Sequence, residues 1–190
     1  MLEFLPPGGT VRKLWIGEAE AYRDHLLRLD FESRHRRFSG GVGDDFIAQH
    51  ARSIGAFGVV VYGFFLDGVL RGAAELRPAC PFAREAEAAF SIEQPWQSLG
   101  VGSVLLERIL LDARNRGITA LQMQCLAENR RMQQLARKFE ADFKFDFGDV
   151  VAEVDPPRFT GLSLLREWNE DGWGVVNALL DAQSRLVRAD

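Results

Sequence analysis

The sequence predicts a single mixed α/β domain, and three observations carry that prediction. Two apolar runs, Val59 to Leu66 and Val69 to Leu76, are joined by Asp67-Gly68, a dipeptide suited to a type I′ hairpin turn. A strand pattern from Arg84 to Ile92 leads through a glycine turn into a long helical pattern, Val101 to Asn115. An alternating strand, Thr119 to Cys125, follows that helix, so strands stand on both sides of a crossover helix and beside a hairpin.

The remaining elements follow in order. Val11 to Ile16 reads as a first strand, and Glu18 to Asp30 as a helix with Tyr22, Leu26 and Leu29 on one face. Phe31 to Gly43 is polar and rich in arginine, the composition of a loop. Asp44 or Asp45 is placed to cap a helix in which Ile47, Ala51 and Ile54 share a side. Pro78 and Pro81 break the chain before the Arg84 strand. The helix from Val101 is apolar over a wide arc (Val101, Val104, Leu105, Ile109, Leu110) and Gly117 stops it. In the next strand Leu121, Met123 and Cys125 alternate with Gln122 and Gln124. Asn129 caps a helix with Met132, Leu135, Ala136 and Phe139 at helical spacing, and Phe143 to Asp155 gives two short strands around Gly148 and Asp149. The expected division is an extension over 1–10, one domain over 11–155, and a helical extension over 156–190 with an interruption near Gly172 to Gly174.

Composition narrows the partners. A formal charge of -4 argues against a general nucleic-acid binder, and no apolar run approaches the length of a membrane span. Pro6, Pro7, Gly8 and Gly9 stand where a signal peptide needs apolar residues, so a cytoplasmic location is expected. Cys80 and Cys125 form neither a disulfide framework nor a metal spacing; no metal is expected. His25, His35 and His50 lie on separate segments and read as core or surface histidines. Arg34, Arg36 and Arg37 suit either a solvated loop or contact with an acidic partner.

The run Gln97-Ser98-Leu99-Gly100-Val101-Gly102-Ser103-Val104 joins a strand end to the first turn of a helix. Glycines there let the backbone approach a bulky anion, and the free N–H groups of the helix start point at it. A Walker-type loop needs a lysine before Ser103, and a dinucleotide fingerprint needs a small residue at Leu105, so both fit poorly. A plain tight turn without ligand is the simpler alternative.

Ala86-Glu87-Ala88-Ala89-Phe90-Ser91-Ile92, the Gln97-x-x-Gly100-x-Gly102 loop, Arg116-Gly117-Ile118, Ala127-Glu128-Asn129-Arg130 and Ala136-Arg137-Lys138-Phe139 together resemble the GCN5-related N-acetyltransferase (GNAT) superfamily. Within it the chain is most similar to the acetyltransferase domain of bacterial protein-lysine acetyltransferases. The resemblance implies a mostly antiparallel sheet flanked by helices. It also implies acetyl-CoA as co-substrate and a primary amine as acceptor, either a protein lysine or a small molecule, that attacks the thioester directly. Gln97, Ser98, Leu99, Gly100, Val101, Gly102 and Ser103 would seat the pyrophosphate. Main-chain groups of Ser91 and Ile92 would hold the pantetheine arm, and Asn129 would contact the coenzyme as well as cap its helix.

An unperturbed lysine amine titrates near ~10.4, so the acceptor must lose a proton to a base. Glu87 is the candidate on its own strand pattern, sharing a face with Ala89 and Ser91 where small residues leave room for a substrate. The resemblance puts a catalytic glutamate at this position. The plainer alternative is an exposed glutamate paired with Arg84 or Arg71. Two departures from the family stand out: Ala136 where many members carry a tyrosine acid, and Glu140 where they carry glycine. Ala136 leaves open a second reading, a non-catalytic acyl-CoA sensor, and a homodimer is a further open partner.

Overall fold

The structure is a computed structural model that describes residues 5–146 and 149–154. Seven strands form one sheet in the order β1-β2-β3-β4-β5-β7-β6: β1 Thr10–Lys13, β2 Val60–Leu66, β3 Val69–Pro78, β4 Glu85–Ile92, β5 Ala120–Leu126, β6 Asp142–Asp146 and β7 Asp149–Val154. All neighbours are antiparallel except β4 and β5. Five α-helices cover the sheet: α1 Ala19–Arg28, α2 Phe31–Phe38, α3 Asp44–Arg52, α4 Val101–Asn115 and α5 Arg130–Lys138.

Strand periodicity splits the core in two. Val60, Tyr62 and Phe64 of β2 pack with Ala88, Phe90 and the apolar arc of α4, including Leu105, Leu106 and Ile109. Val61 and Phe65, one residue out of step, pack with Tyr22 and Leu26 of α1 and Ile47 of α3. Helices on both faces explain why β2 reads as a continuous apolar run. The β2–β3 hairpin turns at Asp67 and Gly68, whose φ values of 50° and 71° are those of the expected type I′ turn.

Three local expectations are corrected. The first strand ends at Lys13 because Glu18 accepts hydrogen bonds from the Arg12 guanidinium (2.8 Å) and the Trp15 N–H (3.0 Å), turning Ile16–Glu18 into one turn of 3-10 helix. The supposed loop from Phe31 to Gly43 begins with α2. Asp30 caps that helix by accepting the Ser33 N–H at 2.9 Å, and the Glu32–Arg36 pair spans one turn. Polar composition concealed it, since the helix has no fully buried residue. Gly43, not Asp44 or Asp45, is the N-cap of α3; the two aspartates lie in the first turn, where they favour the positive end of the dipole. The expected helical extension, 156–190, lies outside the described residues, as does Gly148.

Helices α4 and α5 end in the same hydrogen-bonded motif. Ile118 N–H reaches the Ala113 carbonyl (2.9 Å) and Gly117 N–H that of Arg114 (3.0 Å); Ala141 and Glu140 repeat this onto Ala136 and Arg137, each at 3.1 Å. Both motifs need a left-handed residue, Gly117 at φ 73° and Glu140 at φ 58°. A Cβ in that region costs about 1 kcal/mol or more. Glu140→Gly is therefore expected to stabilise the fold by about 1 kcal/mol, read as a higher urea midpoint at unchanged slope.

Candidate functional site

The site begins where two parallel strands part. Residues Glu85, Ala86 and Glu87 of β4 pair with Ala120, Leu121 and Gln122 of β5, and there the pairing stops, although β4 runs on to Ile92 and β5 to Leu126. β5 stays bound to β7 throughout, and β4 to β3. A gap therefore opens inside the sheet, edged by strand backbone.

Hydrogen bonds define which groups face it. Glu93 N–H donates to the Arg71 carbonyl at 3.0 Å, and Ala79 N–H to the Glu85 carbonyl at 3.2 Å, on the β3 side. The register between β3 and β4 is unbroken, so the alternation of an antiparallel ladder turns the main chain of Glu87, Ala89 and Ser91 toward β3. The main chain of Phe90 and Ile92 faces the gap. Of the expected pair Ser91 and Ile92, only Ile92 thus offers backbone there. Ser91 borders the cleft as a buried residue, its hydroxyl 2.9 Å from Nε2 of His25.

α4 begins at the same place. Gly100 is its N-cap with φ 83°, and Ser98 before it is also left-handed at φ 60°. Ser103 and Val104 N–H groups bond to the Gly100 carbonyl, which leaves those of Val101 and Gly102 without an intrahelical acceptor. A Cβ on Gly102 would meet only Ile92 and Leu135 carbons at 3.5 Å, ordinary contact. Packing within the chain therefore does not require glycine at this position. Lys138 of α5 donates to Ser103 Oγ at 3.2 Å and adds a positive charge to the helix start.

These elements enclose a cleft of about 680 Å³. Glu87, Ser91, Ile92 and Gln97 border it, as do Ser98, Gly100, Gly102, Ser103 and Asn129. Leu99 and Val101 do not: Val101 is buried in the core and Leu99 is exposed. Gln97 ties the walls together. Its amide nitrogen donates to the Ile92 carbonyl (2.8 Å) and to Ser33 Oγ of α2 (3.1 Å), and its oxygen accepts from Arg131 of α5. Asn129 caps α5 by accepting the Met132 N–H at 3.2 Å. Ala136 is fully buried, a packing residue.

Glu87 is exposed on the cleft wall, and among the described residues its carboxylate makes no hydrogen bond or ion pair. The pairing with Arg71 does not form, because Arg71 is held by Glu93 at 3.0 Å. Sequence reasoning missed the neighbouring wall. Arg37 and His50 both reach Glu75 of β3, at 2.8 and 2.9 Å, and Phe38 and Phe46 pack with the His50 ring. One signal was available, a lone carboxylate in the apolar run Ala73-Ala74-Glu75-Leu76.

Burial opposes ionisation of Glu75, but hydrogen bonding to His50 and the charges of Arg37, His50 and Arg77 outweigh it and hold its carboxyl well below the usual range. Burial pushes the imidazole of His25 down, against the pull of Glu93.

A family model, Acetyltransferase (GNAT) family, matches residues 20–140. The chain belongs to that family. This member is 26% identical over 108 residues to acetyltransferase Pat of Mycolicibacterium smegmatis, which covers 56% of the chain and 30% of Pat, so the chain spans less than a third of that relative. Its fold matches the GNAT domain of S. lividans PAT with a TM-score of 0.67 at 24% identity, over 77% of this chain and 90% of that one. It also matches yncA of Salmonella typhimurium, solved with its cofactor acetyl-CoA, with a TM-score of 0.60 at 17% identity over 81% and 97% of the two chains. Among the described residues no helix is long and apolar enough to cross a membrane.

Both shifted groups make stability pH-dependent, with the same sign. A folded pKa below the unfolded one means that the unfolded chain binds the proton first, so stability is present above the unfolded pKa and lost as pH falls. His25 sets a window below about 6.5, and Glu75 a second one below about 4.3. Urea titrations from pH 7.5 to 5.5 are expected to show falling stability in the wild type and a flatter profile in His25→Gln.

Proposed function

We propose that this GNAT member transfers an acetyl group from acetyl-CoA to a primary amine by direct attack in a ternary complex, with Glu87 as the general base. The observation that carries the reading is the coincidence, in one cleft, of gap-facing strand backbone, the start of α4 at Gly100 and Gly102 with its free N–H groups, and a carboxylate without a partner. A protein lysine is the acceptor favoured by the resemblance of the motifs to bacterial protein-lysine acetyltransferases; a small-molecule amine is the other.

The residues fit the coenzyme. Val101 and Gly102 N–H groups, with the dipole of α4 behind them and Lys138 beside them, suit a diphosphate. Ser98, Leu99 and Ser103 complete that turn. Backbone of Phe90 and Ile92 is available to the amide-bearing pantetheine arm, once Gln97 releases the Ile92 carbonyl it now bonds. Ser91 and Asn129 flank the arm from either wall. The chemistry left to the protein is positioning and proton removal. Glu87 takes a proton from the ammonium of the acceptor, the nitrogen forms its bond to the carbonyl carbon, and coenzyme A departs as a thiolate. A free thiol titrates near ~8.5, so departure is feasible without the tyrosine that Ala136 replaces. Cys80 and Cys125 form no disulfide with each other, which agrees with a reducing, cytoplasmic setting.

The reading separates binding from turnover. Gly102→Ala adds a Cβ that the protein itself accommodates and that favours the helix, so the free protein is expected to gain up to about 1 kcal/mol. The same methyl crowds the diphosphate, and the thermal shift produced by acetyl-CoA is expected to shrink. Glu87→Gln should keep that shift and lower kcat by about 10²-fold or more on the plateau above the acid limb. A normal kcat in Glu87→Gln contradicts the role of Glu87.

A further inference from the structure

The chain surrounds Glu87 with cations, yet leaves it unpaired. Arg77 is its direct cross-strand partner, in the register that brings side chains of neighbouring strands within about 5.5 Å at Cβ. An arginine opposite a glutamate ordinarily closes an ion pair. Here the guanidinium turns along its own strand: Nε donates to Glu75 Oε1 at 2.9 Å, and a terminal nitrogen to Ser53 Oγ at 2.7 Å. Arg37 of α2, its side chain largely covered and within electrostatic reach of Glu87, is likewise committed to Glu75, at 2.8 Å. His50 and the Tyr22 hydroxyl hold the same oxygen of Glu75, each at 2.9 Å. The cations at the β3–α2–α3 wall thus converge on one carboxylate two residues along β3 from the partner of Glu87.

We infer that Glu75 is a positioning residue for the reaction: by holding Arg77 and Arg37 it keeps Glu87 unpaired and its carboxylate free to receive a proton from the acceptor amine. The inference rests on the reading of Glu87 as the base.

Other charged or titratable groups around Glu87 do not take over this task. Glu85 precedes it on β4 with a like charge, and Gln122 and Gln124 of β5 are neutral. Arg36 of α2 is engaged by Glu32, and Arg131 of α5 by Gln97. Lys138 lies at the other end of the cleft, on Ser103. Removing the charge of Glu75 leaves two guanidiniums without a carboxylate, and the nearest one across the strand pair is Glu87. An opposite charge at that distance lowers a carboxyl pKa by about 1 to 3 units, and a weaker base is a slower one.

The experiment is the pH dependence of kcat/KM, with coenzyme binding followed in parallel by thermal shift. In Glu75→Gln the acid limb is expected to move down by about one unit and the plateau to fall about tenfold, with the acetyl-CoA shift retained. Adding Arg77→Gln to that variant is expected to restore most of the rate. Arg77→Lys leaves the buried Glu75–Arg37–His50 contacts in place and exchanges the forked guanidinium for a point charge opposite Glu87, so it tests the idea in a chain that keeps its core. Its acid limb is expected to move the same way. An acid limb that disappears in Glu87→Gln but stays unmoved in both Glu75→Gln and Arg77→Lys overturns the inference and leaves the base assignment standing. A limb that survives Glu87→Gln overturns both.

Discussion

Everything in the site depends on a broken strand pair. β4 and β5 are joined only through Glu87 and Gln122, and then each is held by its other neighbour, β3 on one side and β7 on the other. Backbone N–H and C=O groups are obligatory hydrogen-bonding partners, so a sheet that opens in its middle exposes a demand that water, a side chain or a ligand has to meet. Gln97 meets part of it with one amide on the Ile92 carbonyl. α4 starts against the same opening and presents two more unpaired donors. The fold thus creates a slot of about 680 Å³, with polar backbone on its edge, next to an apolar core.

The two faces of the sheet divide the work. On one, α4 buries Leu105, Leu106 and Ile109 against β2, β3 and β4, which fixes where its N-terminus points. On the other, α1, α2 and α3 cover a wall whose polar centre is Glu75. A buried ionic cluster of this kind contributes little net stability compared with apolar packing, but breaking it leaves uncompensated charge. Its convergence on a single carboxylate therefore makes most sense in terms of what it does for the neighbouring Glu87.

The parts of the fold legible in the sequence were those with a strong local signal. The hairpin at Asp67-Gly68, the stop of α4 at Gly117 and the cap at Asn129 each depend on a few adjacent residues, and each is present. α2 was not legible because its stability comes from a cap and ion pairs rather than an apolar stripe, so its composition looked like that of a loop. The glycine turn was visible, but the gap beside it was not. Where β4 leaves β5 depends on the pairing of both with third strands, information that no local pattern contains. The same holds for Glu75, Arg37 and His50, which come together from β3, α2 and α3.

The most direct test of the account is residue-resolved amide hydrogen exchange with and without acetyl-CoA. Protection is expected at Phe90 and Ile92 on the edge of β4 and at Val101 and Gly102 at the start of α4, with Ser91, already paired to β3, little changed. Acetyl-CoA that binds while leaving those four amides unprotected contradicts the account.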